Sequence, residues 1–282
     1  LKERLYDLLK NKYRVSKTEG NNNTLLGIAK TIFLLKRNEE IFIAEMAAYK
    51  RGEIKEICLL VRPKIGIITV IGPMHLERFG TLKAIRETKL ELLGVIEENG
   101  KVMMPKTLFS FVKKDKDKVY FFNHLDEVVP QVGKILNLSS LEINSCLKKK
   151  LRVPHRQQII KSGPLTIIDD TYNSNPEGFE IALGELKKIK ASKRILITPG
   201  MIEMEDLQAE ENFKAAQLAA RICNEIIIVG TTNREALLAG AKSGKSKVHL
   251  AADLTEAKNL LSSLVIPNTA VLLENDLPDH YF

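Results

Sequence analysis

Three polar residues in the first half of the sequence have side chains that could together hold a metal ion. Glu45 and His75 each follow an apolar run, 41–44 and 64–71 respectively, and Lys89 lies further along the chain. Continuous apolar runs are typical of parallel strands, and ligands bind at the carboxyl ends of such strands. A carboxylate and an imidazole at that edge can bind a metal. Taken alone, Glu45 is better interpreted as a helix-capping acid and His75 as a locally hydrogen-bonded loop residue. Taken together with Lys89, they favour the metal site.

A second polar group, in the second half, lies in the segment IIDDTYNSNP at 167–176. Asp169, Asp170, Tyr172 and Asn173 stand there between a predicted strand and a helix that the proline opens. The two aspartates could cap that helix or orient a polar ligand. A turn rich in Asn and Asp is the purely structural alternative.

Arg156, in the segment PHRQQ, is a candidate for binding phosphate. A guanidinium donates two parallel hydrogen bonds to a phosphate, which makes arginine suited to that ligand. Taken alone, it is better interpreted as an ordinary surface arginine. Its position near 152–163, where basic residues and a proline separate a helix from a new strand, also marks the predicted seam between two domains.

The composition limits the classes of protein to which this chain can belong. With 282 residues, 44% hydrophobic and 28% charged, it has the size and balance of two soluble globular domains. The longest apolar run falls far short of the ~20 residues of a membrane span, so none is expected. The net charge of +8 favours anionic partners. Three widely spaced cysteines exclude a disulfide framework and indicate a reducing cytoplasm.

The first half is predicted to begin with an amphipathic helix and to continue with alternating strands and helices. Strands at 41–44 and 64–71 flank a helix at 52–60, and a further helix covers 82–93. A hairpin is predicted at 101–122, with the charged run KKDKDK as its solvated turn.

The second half has the clearer alternation, which predicts a doubly wound α/β domain. The expected strands are 165–169, 194–198, 225–229, 247–250 and 270–273, and the expected helices are 178–190, 206–222, 233–243 and 254–264. The fold class is therefore α/β, with predicted domains at 1–155 and 156–282.

Six segments, taken in order, resemble the Mur ligase family. They are KTEGNNNTLLGIAKTI (17–32), IAEMAAYKRGEIKEI (43–57), RPKIGIITVIGPMHLERFGTLKAIRETKLEL (62–92), VPHRQQ (153–158), DDTYNSNPEGF (169–179) and PGMIEMEDLQAEEN (199–212). They run collinearly over most of the chain. HLERFG followed by TK and then DDTYNSNP is a specific combination.

The resemblance implies an ATP-dependent amide ligase that uses ATP and Mg²⁺. In such enzymes ATP phosphorylates a substrate carboxylate, and an amine then attacks the acyl-phosphate. The closest branch joins D-alanyl-D-alanine to a UDP-N-acetylmuramoyl tripeptide in peptidoglycan synthesis, which implies small-molecule substrates, a cytoplasmic monomer and no nucleic-acid partner. The implied fold is a central ATPase-type domain with a parallel sheet, here truncated, followed by a Rossmann-like doubly wound C-terminal domain.

The resemblance also assigns roles to residues of the first half. Glu45 would hold the magnesium that bridges the nucleotide phosphates. His75 would help to hold a second magnesium near the acyl-phosphate, and Lys89 would be the lysine that family members carbamylate for the same purpose. Hard oxygen ligands of this kind suit Mg²⁺.

In the second half, the resemblance places Arg156 at the γ-phosphate of ATP. Asp170, Tyr172 and Asn173 would line the nucleotide and amine side of the cleft. Charge neutralisation by an arginine suits a transferring phosphoryl group.

The sequence departs from the family pattern in four places. The glycine-rich ATP loop is expected before Leu1, and because Leu1 is not Met we expect the sequence to begin inside a longer gene product. The domain that grips the UDP-sugar is also outside the sequence. The central domain is short between 100 and 125. Near the end, Glu274 and the residues after it replace a Lys-Gly-Ser-like segment that lies near the acceptor substrate, so the acceptor is open.

Several alternatives to this assignment remain. The chain could be a divergent ligase with another acceptor, or a relative kept as a binding or scaffolding protein. The presence of Glu45, His75, Lys89 and Arg156 argues against a scaffold, which would not need that set. A folyl-polyglutamate synthase is a further ligase alternative, and DDTYNSNP followed by GMIEMEDL favours the peptidoglycan branch. A nucleic-acid binder is suggested only by the net charge, because the basic residues are scattered and no aromatic stacking platform accompanies them.

Overall fold

The chain forms two compact units, residues 1–151 and residues 152–282, in the computed structural model. The structure describes residues 1–20, 22–72, 76–114, 116–149, 155–172 and 174–275. Both units combine helices with mainly parallel sheets, which confirms the α/β prediction. The predicted boundary at 155/156 stays a prediction, because residues 150–154 lie outside the described part. No helix among the described residues has the length and apolarity that a membrane crossing requires.

The first unit contains two small parallel sheets. Its elements are α1 (Lys2–Leu9), β1 (Val15–Lys17), α2 (Leu25–Phe33), β2 (Ile41–Ile43), α3 (Glu53–Val61), β3 (Ile65–Ile67), α4 (Leu76–Phe79), α5 (Leu82–Leu90), β4 (Lys101–Pro105), β5 (Val119–Phe122), α6 (Val128–Ile135) and α7 (Ser140–Lys148). β1 pairs with β2, and β4 pairs with β3 on one side and β5 on the other. The predicted helix over 82–93 is thus α5, continued by a 3₁₀ turn at Glu91–Gly94.

Apolar side chains on two faces hold the first unit together. On one face, Leu5, Leu8 and Leu9 project from one side of α1 and pack with residues of α6 and α7 against the strands. On the other face, Ile54 and Cys58 of α3 pack against the inner residues of β4. The strands therefore form a layer between helices, and their carboxyl ends meet loops that carry polar residues.

The predicted hairpin at 101–122 is wrong in its direction. Both strands exist, but β4 and β5 run parallel, with Val102 opposite Val119. The connection between them is a crossover that buries Leu108 and Val112 in the core, so it is not a simple turn. In the charged run at its end, Lys113, Lys114, Lys116 and Asp117 are exposed as predicted, whereas Lys118 is half-buried.

The strand–helix–strand unit of the first half also differs from the expectation. β2 and β3 have no ladder in common, since β2 pairs with β1 and β3 pairs with β4. The predicted strand at 64–71 is shorter and ends at Ile67. Beyond Ile68 the chain no longer pairs with β4. The carbonyl oxygen of Val70 can therefore accept a hydrogen bond from a side chain.

The second unit is built on a six-stranded sheet. Its elements are β6 (Gln158–Ser162), β7 (Leu165–Asp170), α8 (Pro176–Lys188), β8 (Lys193–Thr198), α9 (Gln208–Ala219), β9 (Glu225–Val229), α10 (Arg234–Ala241), β10 (Lys247–Ala251), α11 (Leu254–Leu264) and β11 (Thr269–Glu274). The strand order is β10-β9-β8-β11-β7-β6, and all pairs are parallel except β6 with β7. The sequence prediction lacked β6 and otherwise found each strand.

Helices cover both faces of this sheet, which confirms the doubly wound prediction. α8, α9 and α10 pack on one face around Phe179 and Leu183, both fully buried. α11 packs on the opposite face against Ile195, Ile227 and Val271. β11 is the last strand that the structure describes, yet it lies between β8 and β7 in the sheet. The carboxyl ends of β7 and β11 are therefore neighbours.

Candidate functional site

Glu45 lies just beyond the carboxyl end of β2, where its backbone and side chain are both fixed. Its N–H donates to the hydroxyl of buried Thr18 over 3.0 Å, and the Thr18 N–H donates to the carbonyl of Ile43 over 3.0 Å. The Glu45 carboxylate lies 3.0 Å from the Lys2 ammonium. This carboxylate therefore already faces a cation at the edge of the sheet.

Glu45 is not the acid that caps the following helix. The carboxylate of Glu91 accepts hydrogen bonds from the N–H groups of Gly52 and Lys55, over 2.7 and 3.0 Å, at the start of α3. An anion at this position satisfies free N–H groups of the first turn. Because Glu91 directly follows α5, the same contact ties α3 to the helix that carries Lys89.

Lys89 lies in the last turn of α5 with its side chain turned into the protein. Its ammonium donates to the carbonyl of Val70, 2.8 Å away and beyond the end of β3. Burial lowers the pKa of Lys89. Leu90, the next residue, packs on the same apolar cluster as Met46, the residue after Glu45. The sequence neighbours of Lys89 and Glu45 thus share one apolar cluster, and each of the two charged side chains has its own partner.

The proposed metal set is only partly described by the structure. His75 lies outside the described residues, so its pairing with Glu45 stays a prediction. Within the described part, no three His, Cys, Asp or Glu side chains converge as metal ligands. The Glu45 carboxylate is a hard oxygen donor, and it faces the Lys2 ammonium. This donor chemistry fits Mg²⁺.

Arg156 is presented by a backbone in an uncommon conformation. The residues on either side, His155 and Gln157, both have positive φ angles, 59° and 49°. Such angles are unfavourable for residues other than glycine. The Arg156 guanidinium lies over the ring of Tyr172, 4.1 Å from its centre, and the Tyr172 N–H donates to the His155 carbonyl over 3.1 Å. Arg156 and Tyr172, predicted separately, are thus in contact.

The two aspartates at the end of β7 hold this loop in place. Asp169 lies 2.9 Å from Nδ1 of His155 and also accepts from the Thr171 hydroxyl over 2.7 Å. Asp170 accepts from the Gln157 N–H over 3.1 Å. The sequence reasoning did not find the role of His155, because no spacing rule links it to an aspartate fourteen residues away.

The aspartates do not cap α8, which corrects one of the two predicted roles. Asn175 is the capping residue, and its side chain accepts from the Gly178 N–H over 2.9 Å. α8 begins at Pro176 as predicted. Asn173 lies outside the described residues, so its expected contact with the nucleotide stays a prediction.

A second carboxyl group lies beside Asp170 and was not paired with it by the sequence reasoning. Glu274 ends β11 and is opposite Asp170, which ends β7. Its Oε1 accepts from the Ser174 hydroxyl over 2.6 Å, whereas its buried Oε2 has no partner in the described structure. Burial, opposed by the Ser174 hydrogen bond and aided by the charge of Asp170, raises the pKa of Glu274 to about 8. Burial also raises the pKa of Asp170.

Buried amide groups fix the chain on either side of this acidic pair. The Asn275 N–H donates to the Asp170 carbonyl over 3.1 Å, and its side chain donates to the Gly200 carbonyl over 2.7 Å. Asn212 and Asn233 bond the same turn. Gly200 has a φ of 83°, and a side chain there would meet Asn212 at 2.4 Å. The carboxyl edge of the second sheet is therefore rigidly held.

Two family models match the chain and together span most of it. The one described as "Mur ligase middle domain" matches residues 1–150. The one described as "Mur ligase, glutamate ligase domain" matches residues 155–274.

Relatives of established name are similar over both units. The UDP-N-acetylmuramoyl-tripeptide–D-alanyl-D-alanine ligase of Bacillus subtilis (strain 168) is 25% identical over 254 residues, which are 75% of this chain and 55% of that protein. The enzyme of the same name from Treponema pallidum (strain Nichols) is 24% identical over 259 residues, 78% of this chain and 56% of that protein. The chain thus spans about half the length of these relatives.

A solved structure with the same fold is MurF from Acinetobacter baumannii, with a TM-score of 0.86 and 22% identity over 97% of this chain and 70% of that one. MurF ligase from Thermotoga maritima, solved in complex with ADP, gives a TM-score of 0.81 and 24% identity over 98% and 73%. At these identities the likeness concerns the fold.

Proposed function

The chain belongs to the Mur ligase family, and on that premise we propose that it carries out ATP-dependent amide ligation in peptidoglycan precursor synthesis. The proposed reaction joins D-alanyl-D-alanine to a UDP-N-acetylmuramoyl tripeptide, as the names of its relatives suggest. One observation carries the proposal: the Lys89 ammonium contacts the Val70 carbonyl beyond β3, and the residues next to Glu45 and Lys89, Met46 and Leu90, pack on one apolar cluster. A structural protein has no need of a carboxylate and a buried amine there.

In the proposed mechanism the first unit manages the charge of the nucleotide phosphates. Glu45, whose backbone N–H is bonded to the Thr18 hydroxyl, would hold Mg²⁺ with its carboxylate. Lys89, carbamylated as the family resemblance implies, and His75 would provide further ligands. When bound, the metal supplies charge neutralisation to the phosphate oxygens. The contact of Lys89 with the Val70 carbonyl fixes the end of its side chain before any ligand arrives.

The second unit would provide the positive charge for the γ-phosphate. The Arg156 guanidinium, stacked on Tyr172, is oriented before ATP binds, so less entropy is lost on binding. The substrate carboxylate attacks the γ-phosphorus, ADP leaves, and the amine then displaces phosphate from the acyl carbon. Asp170, Tyr172 and Asn173 are proposed to line the nucleotide and amine side of this site.

The proposal includes a cytoplasmic monomer that acts in cell-wall growth and division, with small-molecule substrates only. All three cysteines, Cys58, Cys146 and Cys223, are unpaired and buried. Such a state is usual in a reducing compartment.

The test is phosphate release by the protein expressed from its complete gene, with ATP, Mg²⁺, UDP-N-acetylmuramoyl tripeptide and D-alanyl-D-alanine. We expect release that needs both substrates and that is lost in a His75→Ala variant. Release with other amines but not with D-alanyl-D-alanine would instead support the divergent ligase. If the folded protein released no phosphate with any of the amines, the proposal would be contradicted.

Asp169→Asn is expected to lower kcat roughly 10- to 100-fold and to raise the KM for ATP, while the protein stays folded. The change removes the charged partner of His155, so the left-handed loop relaxes and Arg156 loses its fixed position. Steady-state kinetics at varied ATP measures both values. Glycine tolerates the positive φ but lacks the imidazole, so His155→Gly should lower kcat and raise the KM for ATP as Asp169→Asn does. Exposed Asp206→Asn is the matched control, and equal activity in all three variants would exclude this role.

A further inference from the structure

The carboxyl group of Glu274 is in an arrangement that the rest of the fold does not explain. The residue is 1% exposed, yet its Oε2 atom has no hydrogen-bond partner in the described structure. Buried polar atoms in native proteins are nearly always bonded, because an unbonded one retains its full desolvation penalty. The other oxygen is occupied by the Ser174 hydroxyl over 2.6 Å. One carboxyl oxygen is therefore free for a ligand.

The neighbouring strand β7 ends in a second acid, which is paired in register with Glu274. Asp170 and Glu274 are the last residues of β7 and β11 and are paired in register, so their side chains lie on the same face. Two carboxyl groups close together in a buried place cannot both ionise unless a cation joins them. Among the described residues, no Lys, Arg or His forms an ion pair with Glu274. Glu274 thus lacks a positive partner among the described residues, at the edge where parallel sheets bind ligands, whereas the charge of Arg156 acts on Asp170.

We propose that Asp170 and Glu274 bind the primary ammonium group of the incoming amine substrate. An ammonium group has three N–H donors and a full positive charge, so it can donate to the free oxygen of Glu274 and compensate both carboxylates. Mg²⁺ fits less well, because it requires near-octahedral oxygen coordination and the Ser174 hydroxyl already donates its proton to Glu274.

The inference rests on the proposed ligase function and names the acceptor contact within it. The acidic pair would recognise the charge of a free amine, so an acceptor whose nitrogen is acetylated would gain nothing from it. The backbone around the pair is fixed by Asn275, which bonds both the Asp170 carbonyl and the Gly200 carbonyl. The position of the two carboxyl groups is therefore set before the amine binds, which favours affinity.

The experiment compares wild type with Glu274→Gln, a change of nearly equal shape that removes the ionisable group. With the protein from the complete gene, we expect the KM for D-alanyl-D-alanine to rise roughly 10- to 100-fold while the KM for ATP stays the same. Calorimetric titration with D-alanyl-D-alanine should show the same loss of affinity without turnover. N-acetyl-D-alanyl-D-alanine should bind equally weakly to both proteins. Exposed Glu180→Gln is the matched control and should equal wild type.

The outcomes separate this inference from the proposed function. If wild type catalyses ligation but Glu274→Gln leaves the KM for D-alanyl-D-alanine unchanged, the ammonium site is wrong and the ligase function stands. If no ligation occurs but wild type binds the free dipeptide and Glu274→Gln does not, the ammonium site stands and the proposed reaction is wrong. A parallel rise in the KM for ATP would show general damage to the edge of the sheet and would overturn the inference.

Discussion

Replacing Lys89 with methionine is expected to lower ATP-dependent ligation by at least about 1000-fold. Methionine retains an apolar stem of similar length but has no amine. It can neither accept carbon dioxide to become an oxygen ligand nor donate to the Val70 carbonyl, the contact that now fixes the side chain at 2.8 Å. Phosphate release in the presence of both substrates measures the loss. The effect should lie in kcat, because the group is proposed to act on the reacting phosphate.

Lys83→Met on the same helix is the control for this variant. Lys83 is exposed, and its ammonium lies 3.9 Å from the Glu87 carboxylate in a surface pair that contributes little to stability. It should retain full activity. Thermal unfolding separates chemistry from folding: burial disfavours the charged form of Lys89, so removing the charge should leave the melting temperature near that of wild type. Activity in Lys89→Met close to wild type would contradict the assigned role.

The elements that the sequence predicted well are those whose local pattern agrees with their place in the fold. β9 is a continuous apolar strand buried along its whole length, and its bounds match the prediction at 225–229. α11 matches at 254–264 because Asp253 caps its start, accepting from the Glu256 N–H over 2.8 Å. Glu45 was likewise placed at a strand end, and Lys89 in the helix over 82–93, by the order of strands and helices alone.

The errors have a common cause in contacts between residues far apart in sequence. The pattern at 101–122 shows two strands and a charged connection, but it does not show that Leu108 and Val112 enter the core and carry the chain across. The link from His155 to Asp169 depends on a loop with positive φ angles, which no residue type at that position indicates. Spacing rules describe neighbours along a helix or strand and cannot find such contacts.

The acidic pair is the clearest example of this limit, because sheet order alone creates it. Asp170 and Glu274 are more than one hundred residues apart in the sequence. They are neighbours in the fold because β11 pairs with β7 in the sheet. The sequence showed an acid near the end of the chain but no partner for it. The same placement makes Glu274 unusual in its response to pH, and this response can be tested without any substrate.

Glu274→Gln is expected to stabilise the protein above pH 8 and to have little effect below pH 5. The pKa of Glu274 is raised from an ordinary value of 4.5 to about 8 in the fold, so the folded state prefers the protonated form. The stability that this group contributes is complete below its unfolded pKa and is lost as the pH rises toward 8. The loss is on the order of several kcal/mol for a buried group. Glutamine does not titrate and avoids it.

Glu225→Gln should change the stability of the protein in the opposite direction, so it is the best control for the Glu274 result. Burial opposes the charge of Glu225, but hydrogen bonds from His249 and Lys193, at 2.8 and 3.3 Å, lower its pKa overall. Its stabilising effect is present above its ordinary pKa and lost in acid, so the glutamine variant should be less stable at neutral pH.

Melting temperatures of wild type and both variants between pH 5 and pH 9 measure these differences, and D-alanyl-D-alanine adds a further condition. An excess of the dipeptide should raise the melting temperature of wild type near pH 8 and raise that of Glu274→Gln much less, because a ligand stabilises the folded state in proportion to how tightly that state binds it. If the difference between wild type and Glu274→Gln were constant from pH 5 to pH 9, Glu274 would not be a buried acid. Its pairing with Asp170 would then have no energetic consequence, and the argument for an ammonium site would lose its physical basis.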